Sequence, residues 1–311
     1  MNLNPAELAG VRTFEERYEL RHRRWYDGPY GSWEAFDRLL EREVVVNIAY
    51  TDFPGFIRSA KSASSFQHPG FLPVYDLGIL DGGVPFYTMP PVRGEPISQL
   101  IRKFDDDAPP TGDSFPLRSL VRAVRDACRA LEYAHRQGLL HLDLYPGSLL
   151  IGENDHVVLD VNDWEQAGAK DSGEAEPLGL LCRPSYMSPE QIPGVGPGVG
   201  PATDVFGLGG ILHVILFGTP PNHLAGKMNV GNVLMAAIAR RAFEPRCMGP
   251  MRRAIGSGQD RRTALKLVAI CRKALAYEPE RRHQTAGELG AALDQWLGHD
   301  RPAWWRMFRQ R

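Results

Sequence analysis

Two kinds of apolar pattern run along the chain. Val44-Val45-Val46-Asn47-Ile48 is a short, nearly continuous apolar run, the pattern of a buried strand. Val157-Val158-Leu159 repeats it on a smaller scale and is closed by Asp160. Residues 14–47 alternate enough to predict strands, with a turn at Asp27-Gly28-Pro29-Tyr30-Gly31. From residue 117 the period changes. Leu120, Val121, Val124, Cys128, Leu131 and Ala134 recur at helical spacing, which predicts a long helix over 117–137. Residues 152–155 are turn-rich, so the strands on either side are expected to pair as a hairpin. Residues 105–112 (DDDAPPTG) read as a solvated loop, and 193–201 (PGVGPGVGP) as a short linker between two helices.

Composition narrows the class. Of 311 residues, 43% are apolar and 23% charged, the balance of an ordinary globular protein. A formal net charge of −1 gives no global field to recruit nucleic acid. The four cysteines are widely spaced, so neither a zinc knuckle nor a disulfide framework is indicated, and a reducing cytoplasm is expected. The N-terminus lacks a charged-then-apolar leader pattern, and the longest apolar run, 208–217, is too short for a bilayer. Positive charge is almost all arginine. The lysines are Lys61, Lys103, Lys170, Lys227, Lys266 and Lys273, none of them near Asn47.

The candidate chemistry lies in LLHLDLYPGSLLIGENDHVVLDVND, residues 139–163. Asp143 and Asp160 stand seventeen residues apart, one in a loop and one at the end of a strand. The predicted hairpin would bring both to one rim, and two converging carboxylates suit a metal ion and a general base.

Helix, loop, hairpin and acid in this order resemble the catalytic and metal loops of protein kinases, HRDLKPxN followed by DFG. Here they read HLDLYPGS and DVN. The likeness continues in HPGFLPVYDLG, in RPSYMSPEQ (183–191), in TDVFGLGGILHVILFGTPP (203–221) and in the closing AICRKALAYEPERRHQTAGELGAALDQWL (269–297). It covers about residues 17–297 and is most similar to bacterial Ser/Thr protein kinases. The implied fold is α+β and bilobal: a small antiparallel β-sheet lobe with one helix over 14–92, and a mainly helical lobe over 93–299. Residues 1–13 would be an N-terminal extension and 300–311 a basic aromatic tail.

The resemblance assigns roles residue by residue. Asp143 falls at the base position, Asp160 at the metal aspartate, and Ser148 at the asparagine that holds a second metal. Tyr145 replaces the lysine that neutralises the γ-phosphate. Leu142 replaces the arginine that reads a phosphorylated activation segment, which argues against control by phosphorylation there. Asn47 falls at the phosphate-binding lysine and Ser59 at its partner glutamate, so both halves of that ion pair are absent. Losing both is milder than leaving one charge buried and unpaired. Gly28 and Gly31 would be the remnants of a phosphate-covering loop that Tyr26, Pro29 and Trp33 disturb, an ordinary hairpin turn being an equal reading. Val45 would roof the adenine, with Trp33 beside it filling the pocket. Met89 would be the gatekeeper, Pro90 and Val92 the hinge groups facing an adenine edge, and Leu150 a nucleotide contact. His141, Asp204, Glu190 and Arg282 fall at fold-holding positions. Asp204 would accept backbone N–H bonds from the catalytic loop, and Arg282 would pair with Glu190. Arg183 stands at the threonine that normally bridges the catalytic acid and lysine.

Fold-holding positions are kept while chemistry positions are lost, so the expected function is that of a pseudokinase, a protein-binding or regulatory module. No cofactor is required, and ATP with Mg²⁺ is expected to bind weakly or not at all. The alternatives are a divergent, weakly active Ser/Thr kinase using Asp143 and Asp160, and, third, another transferase on this fold. The expected partner is a protein, not nucleic acid. Trp304, Trp305 and Arg306 in the tail suggest contact with an anionic membrane surface, or packing of the rings with the arginines solvated.

Overall fold

The computed structural model describes residues 13–23, 30–49, 54–91, 94–106, 115–152, 155–159, 165–166, 183, 185–192, 198–221 and 261–298. The chain divides into two compact units, one built mainly from Met1–Arg93 and the other from Gly94–Asp160 and Glu165–Arg311.

The first unit opens on a single helical turn, α1 (Phe14–Arg17), followed by strands β1 (Tyr18–Arg23), β2 (Tyr30–Asp37) and β3 (Arg42–Ala49). Helix α2 (Pro54–Ser64) and strands β4 (Asp76–Ile79) and β5 (Pro85–Met89) complete it. The five strands form one sheet in the order β1-β2-β3-β5-β4, with antiparallel pairing throughout. Successive side chains of a strand point to opposite faces. Val44 and Val46 therefore join Ala35, Phe86 and Tyr18 in one buried cluster. Phe14 packs on it with its ring 4.7 Å from that of Phe86.

Two details depart from the sequence reading. The strand pattern expected from residue 14 starts only at Tyr18, because Thr13 and Glu16 cap each other's backbone N–H groups and wind α1. Gly31 is not in a turn but inside β2, opposite Ile48. Tyr30 likewise belongs to β2, opposite Ala49, and Asp27, Gly28 and Pro29 of the expected turn lie outside the described residues.

Arg17 ties this end of the unit together. It spans both oxygens of the buried Asp37 and reaches Asp76 at 2.8 Å, and the Tyr18 hydroxyl donates to the same Asp76 oxygen at 2.9 Å. Burial and the Asp76 carboxylate together push the Tyr18 phenol well above its ordinary range.

The second unit is mainly helical: α3 (Ile97–Asp106), α4 (Phe115–His135), α5 (Pro201–Phe217), α6 (Arg261–Ala274) and α7 (Ala286–Gly298). Short strands lie among them: β6 (Gly94–Pro96), β7 (Leu139–Leu140), β8 (Leu149–Gly152), β9 (Val157–Leu159) and β10 (Glu165–Gln166). β8 and β9 form the expected hairpin, Leu149 opposite Leu159, and β6 extends it to three strands. The linker expected over 193–201 ends before Pro201, which is a helical residue of α5.

α5 is buried along most of its length, as an all-round apolar helix must be. It passes so close to the loop before β8 that a Cβ on Gly207 would lie 2.7 Å from Leu144 Cβ. Among the described residues no helix is long and apolar enough to cross a membrane. α7 closes the unit, with the Trp296 indole buried and its Nε1–H donating to the Thr263 carbonyl at 2.8 Å. Trp296→Ala removes the packing and the indole hydrogen bond to Thr263. It should lower unfolding stability by about 3–5 kcal/mol, measured by denaturant titration.

Candidate functional site

In the first unit the strand register decides what surrounds Asn47. It pairs with Ser32 on β2 and Tyr87 on β5, while Val45 pairs with Glu34 and Met89. Directly opposed residues share a face, so Asn47, Val45, Tyr87, Met89, Ser32 and Glu34 lie on one face of the sheet. Trp33 pairs with Val46 and therefore lies on the other. Trp33 does not stand beside Val45, and it does not fill a pocket there.

Asn47 is 3% exposed, and its Nδ2 has no hydrogen-bond partner among the described residues. A buried, unmatched donor is unfavourable by about 1–3 kcal/mol. Ser59 is also buried, on α2. What draws that helix to β5 is the Phe56 ring, 4.9 Å from the ring of Tyr87, the residue opposite Asn47. An aromatic contact thus anchors α2 to the sheet, with neutral side chains at 47 and 59. Pro90 follows β5 directly, and Val92 lies outside the described residues.

In the second unit the loop 141–148 is held by buried groups from three places. Asp204, in the first turn of α5, is 1% exposed. Its Oδ2 accepts from the His141 N–H at 2.9 Å, and its Oδ1 from the Leu142 N–H at 2.8 Å. His135 Nε2 lies 2.7 Å from Oδ2. Burial disfavours the charge on Asp204, but the His135 contact and the loop N–H groups outweigh it, and the carboxyl stays below its ordinary range.

Leu142 has φ +62°, a left-handed backbone that a non-glycine residue adopts at a cost of about 1–2 kcal/mol. The surroundings impose it. Asp204 holds the Leu142 N–H, and Gln191 Nε2 donates to the Leu142 carbonyl at 2.7 Å. Gln191 itself is oriented by Ser188, whose N–H donates to Gln191 Oε1 at 2.9 Å.

The segment carrying Gln191 is fixed from behind. Arg282 and Glu190 form a two-bond pair at 2.6 and 2.8 Å, both almost fully buried. All five guanidinium N–H donors are used. The other three go to the carbonyls of Ala276, Ala202 and Tyr277. Thr203 Oγ1 donates to Glu190 at 2.9 Å. Burial works against the Glu190 charge, and the Arg282 pair more than offsets it, leaving the carboxyl below its usual range.

Asp143 is the remaining acid of the loop, with a side chain 13% exposed. Arg183 covers it. The Arg183 backbone N–H donates to Oδ1 at 3.3 Å, and its Nη1 donates to Oδ2 at 2.6 Å. The same guanidinium lies 3.5 Å over the Tyr145 ring. Burial pushes the Asp143 carboxyl up, and Arg183 and His141 pull it only part of the way back. The recess beside it, lined by Leu142, Leu144, Tyr186 and Gly207 among others, encloses about 10 Å³, room for one water at most.

Ser148 is 1% exposed and closes the loop on itself. Its hydroxyl donates to the Tyr145 carbonyl at 2.8 Å and accepts from the Tyr145 N–H at 3.1 Å. Leu150 is half-buried on β8, opposite Val158 and Pro96. Asp160 and the tail with Trp304, Trp305 and Arg306 lie outside the described residues. The sequence places Arg183 at a position that bridges the catalytic acid in kinases; the structure adds its direct ion pair with Asp143 and the role of Gln191. SPEQ gave no local signal for Gln191, whose carbonyl target is 49 positions away.

Residues 87–291 match the protein kinase domain family. The chain belongs to that family, with an antiparallel sheet in one lobe and helices in the other. It is 31% identical over 291 residues to serine/threonine-protein kinase PknB of Mycobacterium tuberculosis, covering 89% of this chain and 42% of the relative. The PknB of Mycobacterium leprae is 29% identical over 288 residues, with the same coverage. The DNA damage-responsive serine/threonine-protein kinase RqkA of Deinococcus radiodurans is 32% identical over 237 residues, 74% of this chain and 33% of the relative. The chain therefore spans less than half the length of these relatives.

Two outcomes follow from the buried charges. Arg282→Ala leaves Glu190 unpaired and should lower stability by about 3–5 kcal/mol in denaturant titrations. Glu190 and Asp204 have lowered folded-state values, so the stability they add is present above the ordinary carboxylate range near pH 4 and is lost as pH falls through those lowered values. Asp143, raised, works with the opposite sign and is relieved by acid. Glu132 is lowered as well, burial being outweighed by the Gly287 N–H and the Thr285 hydroxyl. Among the described residues three lowered carboxyls thus stand against one raised, which predicts a net loss of thermal stability below about pH 4. In Asp204→Asn that loss should be shallower.

Proposed function

We propose that this protein kinase domain is a pseudokinase, a module that works by binding a protein partner and that transfers phosphate poorly or not at all. The observation that carries the reading is the closure of Asp143 by Arg183. A general base must be reachable by the proton that it abstracts. Arg183 takes one of the two lone-pair sites on each Asp143 oxygen and pairs the carboxylate with a cation, leaving it 13% exposed and less ready to take up a proton than burial alone would make it.

The residues expected to grip a nucleotide and its metal support the same reading. Phosphoryl transfer depends on positioned cations around the transferred group. Asn47 and Ser59 carry no charge, Tyr145 is an aromatic ring beneath an arginine, and the Ser148 hydroxyl is engaged within its own loop. These groups fit a triphosphate and a second metal poorly. Each lost stabiliser typically costs about 3 kcal/mol, or roughly 10²–10³ in rate. Such losses do not add simply, but even one or two leave the reaction orders of magnitude slower.

A second reading, a weakly active Ser/Thr kinase using Asp143 and Asp160, is favoured by the relatives, which are named as kinases. Two measurements separate the readings. ATP with Mg²⁺ should leave the melting temperature unchanged. A ligand at 100 Kd would stabilise the fold by about 2.7 kcal/mol, so a clear upward shift overturns the expectation of no useful nucleotide binding. Radiolabel transfer from ATP should be at background. Transfer that Asp143→Asn abolishes would establish the second reading.

A further inference from the structure

Arg183 stands where a threonine was expected, and Tyr145 where a lysine was. The structure brings these two replacements together. The Arg183 guanidinium is stacked 3.5 Å over the Tyr145 ring and points Nη1 at Asp143, 2.6 Å away. A cation on an aromatic face gains about 0.5–1 kcal/mol when exposed, and more when shielded from water. Arg183 is 30% exposed, so both its stacking and its ion pair are partly shielded. The backbone joins in, with the Arg183 N–H on Asp143 Oδ1 and the Tyr186 N–H on the Arg183 carbonyl at 2.9 Å. A side chain on Gly147 would strike the Tyr145 ring, so the glycine leaves the ring its place under the guanidinium.

We infer that Arg183 is an internal clasp on the loop. It occupies the Asp143 oxygens and fastens the segment 183–192 to residues 141–148 with no phosphate, nucleotide or metal. The clasp rests on the pseudokinase reading and names how that same loop is kept closed. Glu190–Arg282 and Gln191–Leu142 hold the far end of the segment, and Arg183–Asp143 holds the near end. Asp143 is thus a structural anion, paired with Arg183 rather than poised for a substrate.

The test is a carboxyl NMR titration of the full chain, with the Asp143 signal assigned through Asp143→Asn. The charged and titratable groups around that carboxylate are Arg183 and His141, with Tyr186 and Asp204 lining the same recess. In Arg183→Thr the Asp143 midpoint should move upward by about one pH unit, because a cation within 4 Å is lost. Backbone amides of 185–192 should exchange faster. Arg183→Lys should bring both readouts back towards the wild type. Tyr145→Leu, which keeps the charge and removes the ring, should move the midpoint the same way by less. An unmoved Asp143 midpoint in both Arg183→Thr and Tyr145→Leu overturns the clasp, as does unchanged exchange at 185–192. Transfer by the wild type that Asp143→Asn abolishes would instead overturn the pseudokinase reading, and the titration would still report on the clasp separately.

Discussion

The second unit depends on one buried carboxylate. Asp204 sits at the start of the most buried helix and accepts from two successive loop N–H groups. Those N–H groups belong to a loop with a left-handed leucine, which would relax to an ordinary backbone without an acceptor to hold it. An ionised acid in so dry a place is tolerable because every bond made to it favours the charge: His135 from one side and the loop amides from the other. The position of Asp143 follows from that of Asp204, and the position of Arg183 from that of Asp143.

A second buried charge does the corresponding work one layer further out. Burying an ion pair is expensive unless its remaining hydrogen-bonding capacity is matched. Arg282 meets that condition with all five donors placed, three of them on carbonyls from two separate stretches of chain. It fixes Glu190, whose neighbour Gln191 reaches the Leu142 carbonyl. Asp204, Gln191, Glu190 and Arg282 brace the loop with buried polar bonds, whereas positions 47, 59, 145 and 148 carry neutral or aromatic side chains. Neutral side chains at 47 and 59 avoid the larger penalty of a lone buried charge, and the Asn47 amide, unmatched among the described residues, is a smaller cost.

Much of this could be read from the residues in order. The period-3.6 run around Leu120 to Ala134 gave the long helix to within two residues at each end, because its apolar stripe faces a core. The triple valine of β3 and the β8–β9 hairpin were legible for the same reason: strand burial leaves a short apolar signature bounded by turns. The missing charges at 47 and 59 were legible outright, since no lysine precedes Lys61 and no glutamate lies between Glu43 and Glu95. The placement of Trp33 beside Val45 failed because facing is set by register, and a one-residue difference moves a side chain to the other side of a sheet.

The sequence by itself determined the family, the order of the elements and which charges are lacking, because periodicity, turn residues and charge are local properties of the chain. Only the tertiary structure decided what Asp143 pairs with. Arg183 and Asp143 are 40 positions apart; the kinase resemblance puts Arg183 at a position that bridges the acid, but not which bonds an arginine makes there. A side chain's partner across such a distance is chosen by packing of the segments between, and that choice turned a candidate base into one half of a salt bridge over a tyrosine ring.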